Sequence, residues 1–240
     1  MTDIELLKKY IDEAQNIVFF GGAGVSTESG IKDFRSADGI YNMKFAYPPE
    51  EMLSHSFFFT YTAEFFTFYR EMMLTEGIQP NDAHKALAKL EEMGKLSAVV
   101  TQNIDGLHQA AGSKCVYELH GSVKRNYCLR CGKFYDESVI KGTLDVPKCD
   151  CGGTIKPDVV LYQEPLNDKV VSDAIKAISK ADMIIVAGTS LTVYPAAGLL
   201  RYFRGNKIVL INRDSTSLDT DADLVIRKPV GETLCEAILK

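Results

Sequence analysis

The chain has 240 residues, 46% hydrophobic and 10% aromatic, enough for the core of one large domain with or without a small insert, and too apolar for a disordered chain. Its 27 basic and 32 acidic residues leave a formal charge of −5, which argues against the basic face of a nucleic-acid binder. No run of about 18 apolar residues occurs, and the acidic amphipathic start lacks the regions of a secretory signal, so the expectation is a cytoplasmic monomer without membrane or nucleic-acid partners.

The first amphipathic pattern predicts a helix over Asp3–Glu13. Short β-branched apolar runs then predict strands at Ile17–Phe20, Ala98–Thr101, Val116–Leu119, Met183–Ala187, Lys207–Ile211 and Leu224–Ile226. They are continuous rather than alternating, as in strands buried on both faces of a parallel sheet. Helical patterns lie between them at Ala63–Leu74, Asp82–Met93, Asp168–Lys180, Pro195–Arg204 and Gly231–Leu239. Alternating strands and helices predict an α/β fold, a doubly wound parallel sheet of Rossmann-like type, with its ligand beyond the carboxyl ends of the strands.

Two stretches break the pattern. Residues 31–80 are irregular and include "SFFFTYTAEFFTFY" at 56–69, either a core helix pair or an apolar lid. Residues 123–157 carry four cysteines, several glycines and little periodicity, and read as an insert with its own means of support. The expected division is a nucleotide-binding domain of residues 1–30, 81–122 and 158–240. A smaller domain then holds 31–80 and the 123–157 module.

Gly21, Gly22 and Gly24 close the first strand in "NIVFFGGAGVSTESGIKDFRS", residues 16–36. Glycines there permit a tight turn or the close approach of a pyrophosphate. The usual dinucleotide fingerprint is incomplete, because Thr27 stands where its third glycine belongs and no acidic residue follows at the expected place. An ordinary nicotinamide dehydrogenase therefore fits poorly. Four further segments each follow a predicted strand: "TQNIDGLHQ" at 101–109, "ELHGS" at 118–122, "GTSLTVYPAAGL" at 188–199 and "INRD" at 211–214. With "GAGVSTESGIKDFR" at 22–35 they resemble the signature of the sirtuins, NAD-dependent protein deacylases, over nearly the whole chain. Lys32 departs from it, standing where the family has proline.

Gln102, Asn103 and Asp105 crowd three polar groups into one loop, a cluster able to hydrogen-bond a ribose and a carboxamide. The resemblance implies that Asp105 and the Ile104 backbone hold the nicotinamide amide, and that Gln102 and Asn103 reach the ribose and its water. Histidine titrates near neutral pH and can take a proton from a hydroxyl. The resemblance makes His120 that base, with Asn103 and Asp105 as its catalytic partners. It also implies that Phe34 covers the ribose, that Arg35 meets the phosphates, and that Asp33 orders the loop or helps bind nicotinamide. Ala23, Thr27, Thr189, Ser190, Asn212 and Val230 are its remaining NAD contacts. His55, His84 and His108 read as cap, packing or surface residues. The peptide is expected between strand-like segments Val159–Gln163 and Leu191–Tyr194, touching Val160, Leu161, Tyr162, Leu191 and Val193.

Of six cysteines, Cys128-x-x-Cys131 and Cys149-x-Cys151 are separated by 17 residues. Four thiolates close a tetrahedral zinc site with no open position, which makes the metal structural. The second pair is one residue tighter than the family norm. Cys115 and Cys235 stand alone and read as packed thiols. Sirtuins that prefer acidic acyl groups carry Tyr-x-x-Arg in the aromatic helix, whereas here Met72 follows Tyr69 and Met73 follows Arg70 at that spacing. The resemblance therefore implies an NAD-dependent protein-lysine deacetylase for neutral acyl groups, acting on acetylated lysines and forming nicotinamide and O-acetyl-ADP-ribose. A protein mono-ADP-ribosyltransferase and a non-catalytic NAD or ADP-ribose sensor stay open as alternatives.

Overall fold

The computed structural model describes residues 1–33, 39–40, 43 and 45–240. Its larger layer is a six-stranded parallel sheet in the order β3-β2-β1-β7-β8-β9. The strands are β1 (Ile17–Gly21), β2 (Leu96–Thr101), β3 (Val116–Glu118), β7 (Met183–Ala187), β8 (Lys207–Ile211) and β9 (Leu224–Ile226). All six predicted strands are present; the central β1 and β7 are buried at every residue, while β3 and β9 form the edges. Consecutive side chains point to opposite faces, so Phe19 enters one core with Leu7, Leu87 and Ile185, and Phe20 enters the other with Val100, Ile178 and Ile184.

The helices are α1 (Asp3–Glu13), α2 (Pro49–Met52), α3 (His55–Thr60), α4 (Thr62–Met72), α5 (Asp82–Glu92), α6 (Leu107–Ala110), α7 (Ser138–Lys141), α8 (Asp168–Lys180) and α9 (Val230–Leu234). Three of the long ones start at side-chain caps: Thr2 with Glu5 closes a capping box on α1, Asn81 caps α5, and Asn167 accepts the Lys169 and Val170 amides of α8. Two predicted helices differ in kind. Residues 196–202 wind as a 3-10 helix, and α9 continues into a π turn over Cys235–Leu239.

A second sheet, antiparallel in the order β5-β4-β6, comprises β4 (Gly121–Cys128), β5 (Phe134–Tyr135) and β6 (Ile155–Val159). Its strands escape a sequence reading because β5 is only two residues long, a proline sits inside β6, and polar residues break the apolar pattern of β4. It shares one core with the aromatic helices, where Phe58, Phe65, Phe66 and Tyr69 pack with Val123, Ile140 and Ile155. The Phe58 and Phe65 rings meet edge-on at 4.9 Å. The stretch at 56–69 is thus a core helix pair and not a lid. Arg70 fastens it to the insert by donating to the Ile140 carbonyl at 2.9 Å and the Leu144 carbonyl at 3.0 Å.

The expected strand-like segments beside the substrate need correction. Only Val159 of the first belongs to a strand. The second is a turn, in which Leu191 adopts a left-handed backbone with φ of 57° and its amide donates to Thr189 Oγ1 at 3.2 Å. That local side-chain bond competes with strand pairing. Among the described residues no helix is long and apolar enough to cross a membrane.

Candidate active site

Strand order reverses between β1 and β7, and the loops after these two strands lie side by side at the carboxyl end of the sheet, the position of a topological switch point. Gly24 N donates to Gly188 O at 2.8 Å. A Cβ on Gly22 or Gly24 would come within 2.8 Å of the Gly188 backbone, so these glycines let two turns touch. The turns border a cavity of about 770 Å³ lined by Ala23, Thr27 and Asp33 on the first side and by Thr189 and Ser190 on the second. Asn212, just after β8, and Val230, the first residue of α9, also line it. Gln102, Asn103, Ile104, Asp105 and His120 line the wall nearest β2 and β3. The Phe34 and Arg35 assignments fall outside the described residues.

The polar loop after β2 is held at each member. Gln102 N donates to Gly21 O at 2.9 Å, and its side-chain amide donates to Thr189 Oγ1 at 3.0 Å. Asp105 Oδ1 accepts the Leu107 amide at 2.8 Å, while Oδ2 accepts the Ser26 hydroxyl at 2.7 Å. The Asn103 amide also donates to Ser26 Oγ, at 3.1 Å. Ser26 therefore couples two of the three candidate catalytic residues, Asn103 and Asp105. Sequence reading missed it, although it sits inside the quoted glycine motif.

His84 Nε2 lies 3.5 Å from Ser26 Oγ, and its Nδ1 lies 3.2 Å from the Asn81 amide. Asn81 Oδ1 lies 3.1 Å from the same Nδ1, so two Asn81 groups meet this nitrogen. The His84 ring stands 4.7 Å from that of His108. Burial pulls His84 down to about 4, against the attraction of Asp105, and pulls His108 to about 3, aided by His84. Below the ordinary value of about 6.5 the unfolded chain binds these protons and the folded chain does not. Stability is thus full above that value and falls as pH falls through it. Urea unfolding at pH 5 is expected to show roughly 2–4 kcal/mol less stability than at pH 7.5, and His108→Phe is expected to flatten that dependence.

His120 occupies the turn between β3 and β4. Its Nδ1 lies 2.9 Å from the Gln102 carbonyl, so Nδ1 carries the proton and Nε2 is the basic nitrogen. Burial holds its pKa below the usual histidine value, opposed by that carbonyl. Val160, Leu161, Tyr162 and Val193 line the cavity mouth, and Met72 and Met73 line an apolar part of it. Leu191 is a correction, because it is buried in the core of one sheet face rather than among the lining residues.

The ligand atoms of Cys128, Cys131, Cys149 and Cys151 lie within 4.8 Å of one another, with Sγ separations of 3.4 Å for Cys128–Cys151 and 3.6 Å for Cys131–Cys149. Four sulfurs about a zinc ion at its normal bond length would be roughly 3.8 Å apart, so the donor set and its spacing fit a structural metal ion. The Tyr135 hydroxyl donates to Cys149 Sγ at 3.1 Å and holds that thiol down at about 6. The Cys-x-Cys spacing therefore does not keep the fourth sulfur out of reach.

The Sir2 family model matches residues 22–195. An NAD-dependent protein deacetylase of Clostridium acetobutylicum is 62% identical over 98% of this chain and 97% of its own length. One of Clostridium perfringens is 62% identical over 98% of both chains. In structure, a Sir2 complex with a p53 peptide and NAD+ matches at a TM-score of 0.85 and 42% identity, covering 98% of this chain and 96% of its own. A Sir2 variant with a deacetylated p53 peptide and 3'-O-acetyl ADP ribose matches at 0.88 and 41%, over 98% and 97%. Likeness of this extent in both sequence and fold makes the chain a member of the Sir2 family.

Proposed function

We propose that the chain is an NAD-dependent protein-lysine deacetylase. The observation that carries this reading is the meeting of Gln102, Asn103, Asp105 and His120 on one cavity wall, facing the glycine turn across the sheet's switch point. NAD, when bound, supplies the ADP-ribosyl group that accepts the acetyl as nicotinamide leaves. Ala23, Thr27, Thr189 and Ser190 hold it along the two strand-end turns, with Asn212 and Val230 beside them in the cavity. Asp105, oriented by Ser26 and the Leu107 amide, accepts from the carboxamide beside the Ile104 backbone. Gln102 and Asn103 hold the ribose. His120 Nε2 takes a proton from a ribose hydroxyl, a role that its lowered pKa favours by keeping the ring neutral.

The substrate is an acetylated lysine in a peptide that lies along Val160, Leu161, Tyr162 and Val193. Relatives solved with p53 peptides support this mode. Met72 and Met73 make the acyl end apolar, so succinyl-lysine is expected to be a poor substrate. A desuccinylation kcat/KM equal to that for deacetylation would refute this. The four thiolates suit zinc in a structural role, supporting a smaller domain of residues 31–80 and 123–157 beside the NAD-binding one.

The test is mass spectrometry of an acetyl-lysine peptide incubated with and without NAD. The expected result is NAD-dependent loss of the acetyl mass with O-acetyl-ADP-ribose appearing. A gain of ADP-ribose mass on protein, without deacetylation, would overturn the reading in favour of the transferase.

A further inference from the structure

The segment after β6 is fastened in an unusual way. Val160 N donates to the His120 carbonyl at 3.0 Å, which ties one end to the turn carrying the candidate base. The other end is bound to the start of α3. Tyr162 N donates to Leu53 O at 2.9 Å, His55 N donates to Tyr162 O at 2.9 Å, and Ser56 N donates to Gln163 Oε1 at 3.0 Å. Gln163 has a left-handed backbone with φ of 75°, a conformation that a residue other than glycine keeps only where its surroundings impose it.

The Glu164 carboxylate lies beside it and ties the neighbouring elements together. Its Oε2 accepts the Leu161 amide at 2.9 Å and the Lys156 ammonium at 3.0 Å, and its Oε1 lies 3.0 Å from His55 Nδ1. One carboxylate thus joins the segment itself, β6 and α3. The Glu164 and Lys156 side chains are only 18% and 15% exposed, so removing the carboxylate leaves the Leu161 amide without this acceptor and the Lys156 ammonium with only the Pro157 and Val159 carbonyls. None of these three partners belongs to the glycine turn or to the polar loop after β2.

We propose that Glu164 is a positioning residue for the peptide substrate: its carboxylate sets the height and curvature of residues 160–163, against which the acetylated peptide lies. The inference rests on the peptide placement under the proposed function. It assigns Glu164 no contact with the reacting atoms. Its signature is a loss of peptide affinity without a loss of NAD affinity.

The experiment measures binding of a fluorescein-labelled acetyl-lysine peptide by anisotropy, NAD binding by calorimetry, and melting temperature, for the wild-type chain, Glu164→Ala and Glu164→Gln. NAD-dependent deacetylation is followed separately. Glu164→Ala is expected to weaken peptide binding about tenfold, the loss of one charge-assisted contact set. Glu164→Gln, which keeps an acceptor for Leu161, is expected to recover part of that loss. NAD affinity is expected to stay within about twofold in both. Peptide affinity unchanged in Glu164→Ala, or peptide and NAD affinities falling together with the melting temperature, would overturn the proposal. A wild-type chain that binds the peptide yet never deacetylates it would sink the proposed activity and leave the role of Glu164 standing. One that binds no peptide would sink the proposal outright.

Discussion

His120→Ala is expected to lower kcat for deacetylation by roughly 10²- to 10⁴-fold, the span lost with a general base, while NAD binding stays within about twofold. The argument lies in the tautomer. The Gln102 carbonyl accepts a hydrogen bond from Nδ1–H at 2.9 Å and leaves Nε2 as the base, which alanine does not supply. His120→Gln restores a side chain of similar reach without a base and is expected to be equally slow. The pH profile provides a second reading. A base works when unprotonated, and burial holds this pKa below the usual value of about 6.5. The acid limb of kcat/KM is therefore expected below pH 6.5, with activity present above it and lost as pH falls through the lowered pKa. An activity loss centred above pH 7, or a His120→Ala protein of near wild-type rate, contradicts the assignment.

Metal removal has the second large expected effect. Protein purified without chelator is expected to carry about one zinc per chain, and less than half an equivalent would refute the site. Structural zinc contributes on the order of 10 kcal/mol or more to small domains that it organises. Cys128 and Cys149 are themselves part of the core beneath the aromatic helices, along with Ile140 and Ile155. Stripping the metal, or changing Cys131 to alanine, is expected to loosen the β5-β4-β6 sheet and that shared core. The six-stranded sheet has two separate cores of its own and is expected to stay folded. Hydrogen exchange reads the two regions separately. Rapid exchange in β4 and β6 with protection kept in β1 and β7 is the expected pattern. Deacetylation should fall with it, because His120 lies at the junction of β3 and β4.

Much of the molecule is legible without coordinates. The six parallel strands announce themselves as continuous apolar runs, since burial on both faces demands apolar residues at every position. The glycine turn, the polar loop from Gln102 to Asp105, His120 and the four cysteines are local strings whose chemistry can be read from their residue types. The likeness to the sirtuin signature placed them in order, and the cavity brings all of them except Leu191 and the cysteines to its walls, among the described residues.

Only the tertiary structure decided the rest. Ser26 meets Asp105 across 79 positions of sequence, His84 meets Ser26 across 58, and Glu164 meets His55 across 109. A periodic pattern reports how deeply each residue is buried and how tightly the chain turns; it carries no record of which distant side chain is the partner. The antiparallel sheet around the cysteines was hidden for the same reason, since the aromatic helices that its apolar side chains pack against lie far away in sequence. Hydrophobic burial is written residue by residue and was determined by the sequence alone, whereas the hydrogen bonds that aim the Asp105 carboxylate, the His120 ring and the Glu164 clasp depend on separations of about 3 Å that exist only once both cores have closed.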